Sequence, residues 1–181
     1  TLFDAALCLA RGRLDAAEER IDAALALGIR IDEAMARWQH WIQLYHLRRE
    51  QGRIAEFLGS ADLAKTVPPD TPGAPFFERS VRWVTPHVFS ELGRNDEARA
   101  SFSALMARGL DDLPPENSRC TRISALFSLG DACATVGDDG SAGLIYDALN
   151  PYRDQWQVIG WGAAVFGSAH YMLGTLRSVQ R

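Results

Sequence analysis

The residues in this chain that could do chemistry are scattered, and their spacing argues against most reactions. Gly160-Trp161-Gly162, after Gln157-Val158-Ile159, begins like a phosphate-cradling loop, in which glycines let backbone amides approach a pyrophosphate. The third glycine of such a loop falls at Val165, with no strand–helix alternation around it and no acidic partner downstream. His40 and His46 are six residues apart, on different faces of a helix, so they cannot chelate one metal. His170 lies in an apolar stretch and reads as a hydrogen-bonded core or interface histidine. Glu18-Glu19, Asp111-Asp112 and Asp138-Asp139 fall at turns or solvated faces, whereas acid–base pairs must converge in a cleft. No serine nucleophile elbow, Walker A loop or zinc-ligand spacing is present. Cys8, Cys120 and Cys133 are odd in number, lack CxxC spacing and sit in apolar helical patterns, so buried free thiols in a reducing compartment are expected. The chain therefore reads as non-enzymatic, with no catalytic residue, cofactor or metal.

Bulk composition agrees. The 181 residues carry a net charge of −4 and are 47% hydrophobic and 23% charged, ordinary for a soluble domain and without the basic footprint of a nucleic-acid binder. All but one of the 19 basic residues are arginine, the exception being Lys65, a bias that points to a high-GC bacterial background. The chain opens on Thr1 with no signal peptide, and it is read as a segment of a longer cytoplasmic protein. Val158–Leu176 contains no Asp, Glu, Lys or Arg and is long enough to span a bilayer. Its four glycines, Ser168, His170 and Thr175 favour a buried terminal helix instead, so no membrane contact is expected.

What must position any functional residue is a repeat. Glycines at 12, 52, 93 and 137 recur every 40 to 44 residues, each between two helical patterns. Five residues after them come Ala17, Phe57, Ala98 and Ala142; nine after come Ile21, Ala61, Phe102 and Tyr146; twelve after come Ala24, Ala64, Leu105 and Leu149. Five before stand Leu7, Leu47, Val88 and Ala132, and ten before stand Leu2, Ile42, Trp83 and Phe127. Every one of these positions is apolar if tyrosine is counted, where composition alone would make about half of them so.

The pattern predicts an all-α fold: one domain, 1–181, a right-handed superhelical solenoid of about four antiparallel helix pairs. The units span about 1–28, 31–66, 75–109 and 118–150, with a capping helix at 156–177 and no strand pair. Asp15 and Glu18 resemble a capping box, and Gly28 is placed to end the second helix in a left-handed conformation. Trp38, Trp41 and Tyr45 are expected in the core. Val67–Pro75 must be a loop, and Pro86 predicts a kinked helix.

A turn glycine, alanine five residues on, a large apolar residue four later and a small or apolar one three later resembles the tetratricopeptide repeat (TPR). The stretches LGRNDEARASFSALMARGLDDLPPENSRCTRISALFSLGDACATVGD and AGLIYDALNPYRDQWQVIGWGAAVFGSAHYMLGTL also resemble the C-terminal helical-repeat region of large bacterial signalling ATPases. There such a region accompanies a LuxR-type DNA-binding domain or a class III adenylate/guanylate cyclase domain. The resemblance implies a sensor or scaffold arm for signal transduction or transcription regulation; it transfers no catalytic residue.

The expected binding chemistry is geometric. The first helix of each pair should line a concave groove for a protein, a peptide or neighbouring domains of the parent chain. Its candidates are Gln39, Ile42, His46, Arg49, Trp83, His87, Phe127 and Asp131. Packing of Ile42, Trp83 and Phe127 between helices is the competing expectation. Gly160, Gly167 and Gly174 recur every seven residues near Ala163, Ala164 and Tyr171, which predicts a close-packing stripe or homo-oligomer surface on one helix. The alternative function is small-molecule effector sensing, with a concave-face pocket around Trp83 and Phe127.

Overall fold

The computed structural model describes residues 1–59, 74–111, 113–114, 119–159 and 162–181; the side chains of 57–59, 74–80, 119 and 120 lie outside that description. The expectations for Phe57, Ala61, Ala64, most of the 67–75 loop, Cys120 and Gly160 fall outside it too. The described chain is mostly helical, with one two-stranded sheet. Helices α1 (Leu2–Ala10), α2 (Leu14–Gly28), α3 (Glu33–Glu50) and α4 (Ile54–Gly59) are followed by α5 (Ala74–Glu91), α6 (Asn95–Met106), α7 (Arg119–Val136) and α8 (Asp139–Leu149). A 3-10 turn, Asn150–Tyr152, leads to β1 (Trp156–Ile159), β2 (Ala164–Ser168) and α9 (Ala169–Val179).

The four repeat glycines do the same thing. Gly12, Gly52, Gly93 and Gly137 have φ of 67°, 67°, 72° and 73°. After each, the next residue donates its N–H to the carbonyl five residues back: Arg13 to Cys8 at 2.9 Å, Arg53 to Arg48 at 2.7 Å, Arg94 to Phe89 at 2.9 Å and Asp138 to Cys133 at 3.4 Å. This is the Schellman closure, which satisfies carbonyls the helix end leaves orphaned and places a residue where only glycine escapes Cβ repulsion. The next helix starts at once, with Ala17, Ala98 and Ala142 at its seam, all fully buried.

The chain divides into two compact units, Thr1–Glu78 with Val158–Val165, and Arg79–Gln157 with Phe166–Arg181. In the first, α1 packs on α2, α2 on α3 and α3 on α4, and α1 also touches α3. Ala5, Cys8, Ala17, Ile21 and Leu47 form one core cluster there. Arg48 donates to Glu18 across the α2–α3 pair, so Glu18 serves that ion pair and makes no capping box; α2 begins after Arg13 with no side-chain cap. Gly28 is not a left-handed cap either: its value is closeness, since a Cβ there would sit 2.7 Å from the Ala36 Cβ.

In the second unit, α6 packs on α7, α7 on α8, α8 on α9, and α7 also on α9. Phe102, Leu126, Phe127, Ile145, Leu149, Met172 and Leu176 anchor its core. The helix assignment runs through Pro86 without a break.

Residues 156–177 are not one helix. Trp156-Gln-Val-Ile159 alternates exposed and buried positions, and Gly162 and Gly167 adopt φ of 91° and 125°, which no helix accommodates. The absence of charge and the seven-residue glycine spacing imitate a single helix and mask a four-residue period-2 run. The uncharged stretch thus resolves into a hairpin and an 11-residue helix, and among the described residues no helix is long and apolar enough to cross a membrane.

Candidate functional site

Gln39, Ile42, His46 and Arg49 do share a face of α3, but the face is not open. Gln39, Ile42 and His46 are 7%, 3% and 7% exposed, and Arg49 is half-buried. Helix α3 is buried nearly all round: Trp38, Trp41, Gln43, Tyr45 and Leu47 are also inside. Trp38 stacks on Trp41 at 5.3 Å, Trp41 on Tyr45 at 6.0 Å, and Tyr45 meets His46 edge-on at 5.2 Å. Such offset pairs add about 0.5–1.5 kcal/mol each beyond area burial.

On the second unit, Trp83 and Phe127 pack in one cluster with Phe102 and Leu126, and Phe127 leans on Phe166 at 6.4 Å. Those two rings are core side chains rather than pocket walls. His87 is buried with its Nε2 3.6 Å from a Glu91 carboxylate oxygen, and Asp131 is half-buried on the face of α7 that also carries Phe127. The groove candidates are therefore mainly interior, each within its own unit.

The glycine stripe is not on one helix. Gly167 lies in β2, while Tyr171 and Gly174 lie in α9, where Tyr171 is 70% exposed and a Cβ on Gly174 would meet nothing within 4 Å. His170 is also exposed, its Nε2 3.4 Å from Asp154, and so is not a core histidine. Cys8 and Cys133 are buried free thiols. Burial pushes the Cys133 thiol up to about 12, helped by the nearby Asp138 carboxylate, and its Sγ donates to the Asp138 carbonyl at 3.1 Å. Among the described residues no group of three or more His, Cys, Asp or Glu side chains is placed to hold a metal ion.

One feature went unseen in the sequence. A cavity of about 340 Å³ opens in the first unit between α2, the α2–α3 turn and α3, walled by Ile21, Ala24, Leu25, Met35 and Ala36, with Thr1 and Leu2 at the start of α1 on its edge. Gln39, His40 and Gln43 also line it. Gln43 is fully buried, and its Nε2 donates both hydrogens, to the Leu2 carbonyl at 2.9 Å and the Ala163 carbonyl at 2.8 Å. Turning that amide over would set its oxygen against two carbonyls, so its orientation is fixed. Gln43 Oε1 and Gln39 Oε1 are shielded from water and accept no hydrogen bond among the described residues. Each orphan costs about 1–3 kcal/mol. Among the described residues Gln39 Nε2 donates to the Met35 sulfur alone, at 3.8 Å. His40 is held below its ordinary range by burial, against the opposing pull of Asp22 at 3.6 Å. The available signal was a pair of glutamines one turn apart on an otherwise buried helix.

No family model, curated protein or solved structure matches this chain. The site must be read from its own geometry.

Proposed function

We propose that this chain is a non-enzymatic, TPR-like regulatory module, a right-handed solenoid arm of a larger cytoplasmic bacterial signalling ATPase, whose partners are neighbouring domains of its parent chain. One observation carries the reading. Leu7 is 49% exposed, although its register equivalents Leu47, Val88 and Ala132 are buried, at 0%, 1% and 0%. Phe3, one turn away on α1, is 64% exposed. A position that serves as a helix-stacking seam everywhere else in the repeat is bare here, and a bare seam is a docking surface for another helical element. Support also comes from the repeated Schellman turns and from helices that pack in chain order within each unit.

The test is to compare the transcriptional or cyclase output of the parent protein carrying Phe3→Ser/Leu7→Ser with that of the unaltered protein. Altered regulation with unchanged melting of the purified segment supports the reading. Unaltered output, together with unaltered output when residues 1–181 are excised, would overturn it.

A further inference from the structure

We infer that the cavity of the first unit is a binding site for a small, uncharged, mainly apolar molecule that carries a hydrogen-bond donor, a hydroxyl or an N–H. This site meets α1 only at its start, Thr1 and Leu2, whereas the docking face is carried by Phe3 and Leu7, and the two are tested by different substitutions. Three observations select the ligand class. The volume, about 340 Å³, is at the lower end of the range of small-molecule sites and equals about eleven water molecules at liquid density. The walls are mainly aliphatic and carry no Lys or Arg, and the Thr1 ammonium at the edge is already paired with the Asp4 carboxylate at 3.0 Å. The Asp32 carboxylate at the edge already accepts from the Met35 N–H at 3.0 Å as the cap of α3, and burial disfavours the charged form of His40.

What lies just beneath the cavity surface is unused acceptor capacity. Gln39 and Gln43 lie one helical turn apart, both more than nine-tenths buried, and each holds an amide oxygen with no donor among the described residues. The two glutamines divide the work. Gln43 is clamped by the Leu2 and Ala163 carbonyls and is a fixed part of the floor. Gln39 holds only the weak sulfur contact, and its terminal torsion is soft, so it can turn its oxygen toward a ligand donor. The exposed Leu27 and Ile31 at the rim give the apolar body of the ligand a way in.

The experiment uses the full chain and the neutral fluorophore N-phenyl-1-naphthylamine, which has an apolar body and one N–H, beside its N-methyl derivative, which lacks the donor. Titrations follow the rise in probe fluorescence. The expected result is saturable binding at one site per chain, with the N–H probe held about five- to tenfold more tightly than the methylated one. Gln39→Leu should remove that preference while keeping binding of the methylated probe. Ala24→Phe, which fills the cavity, should abolish both, with far-UV circular dichroism confirming the fold; Ala36→Phe repeats this from the opposite wall. The inference is overturned by no saturable binding in the unaltered chain, by binding that survives both filling variants, or by a donor preference that survives Gln39→Leu.

Discussion

The four repeat glycines allow a quantitative test in which packing is held out of the calculation. At Gly12, Gly52, Gly93 and Gly137 an added Cβ would meet nothing within 4 Å, so alanine there changes conformation and nothing else. Holding an L-residue near φ of +70° costs about 1–2 kcal/mol. The unfolded chain gives back part of the difference, since losing glycine removes about 0.4–1 kcal/mol of unfolded-state freedom in the other direction. The net expectation is a loss of about 1 kcal/mol per site, close to equal at all four. For a chain this size that lowers the melting midpoint by about 2–4 °C. Asparagine tolerates the left-handed region better than alanine and should recover part of the loss. Gly12→Ala and Gly137→Ala report on different compact units, so they form the most informative pair. Melting followed by circular dichroism, with urea midpoints alongside, supplies the measurement. If alanine is neutral at both positions, or asparagine is worse than alanine, the Schellman account of the repeat fails.

Gly28 should behave differently, because its constraint is contact. Gly28→Ala should destabilise by about 1–3 kcal/mol, and Ala36→Gly in the same chain should restore much of it, measured by urea midpoints. Ala98→Asp places a charge at a fully buried seam and should cost roughly 3 kcal/mol or more, read as loss of the folded baseline of the second unit. Cys133, with its thiol pushed up to about 12, should resist iodoacetamide at about pH 8 in the native protein and react once unfolded, as site-resolved mass spectrometry would show. His40 titrates below its usual 6.5 in the folded chain, so the unfolded chain takes the proton first as pH falls. Its contribution is fully present above about pH 6.5 and is lost on acidification through the folded value; His40→Gln should lose less melting temperature than the unaltered chain between about pH 7.5 and about pH 5.

Much of the helical framework was legible because glycine turns and helical periodicity are local. The recurrence of Gly12, Gly52, Gly93 and Gly137 placed the helix boundaries to within a few residues, and Trp38, Trp41 and Tyr45 were placed in the core. The hairpin was not legible: Trp156–Ile159 is four residues long, too short for its alternation to stand out beside seven-residue glycine spacing. Leu7 was aligned correctly but its exposure was not, since burial at a seam depends on what stacks against it. Gln39 is expected in a groove, and the structure places it on the wall of a cavity between α2 and α3, a concavity that depends on how those two helices pack. Gln43 was overlooked because its two acceptors lie 41 and 120 residues away in the chain.

That last contact bears on synthesis at the ribosome. The N-terminal unit takes its final segment, Val158–Val165, from beyond most of the second unit, and the Gln43 amide needs Ala163 to fill its second bond. A nascent chain that has emerged only as far as α5 must hold this interior incomplete while more than seventy further residues are translated, a wait of several seconds at about 5–20 residues per second. Splitting the gene between the two units would then release an N-terminal fragment that lacks its own closing piece, and supplying Val158–Val165 as a separate peptide should complete it.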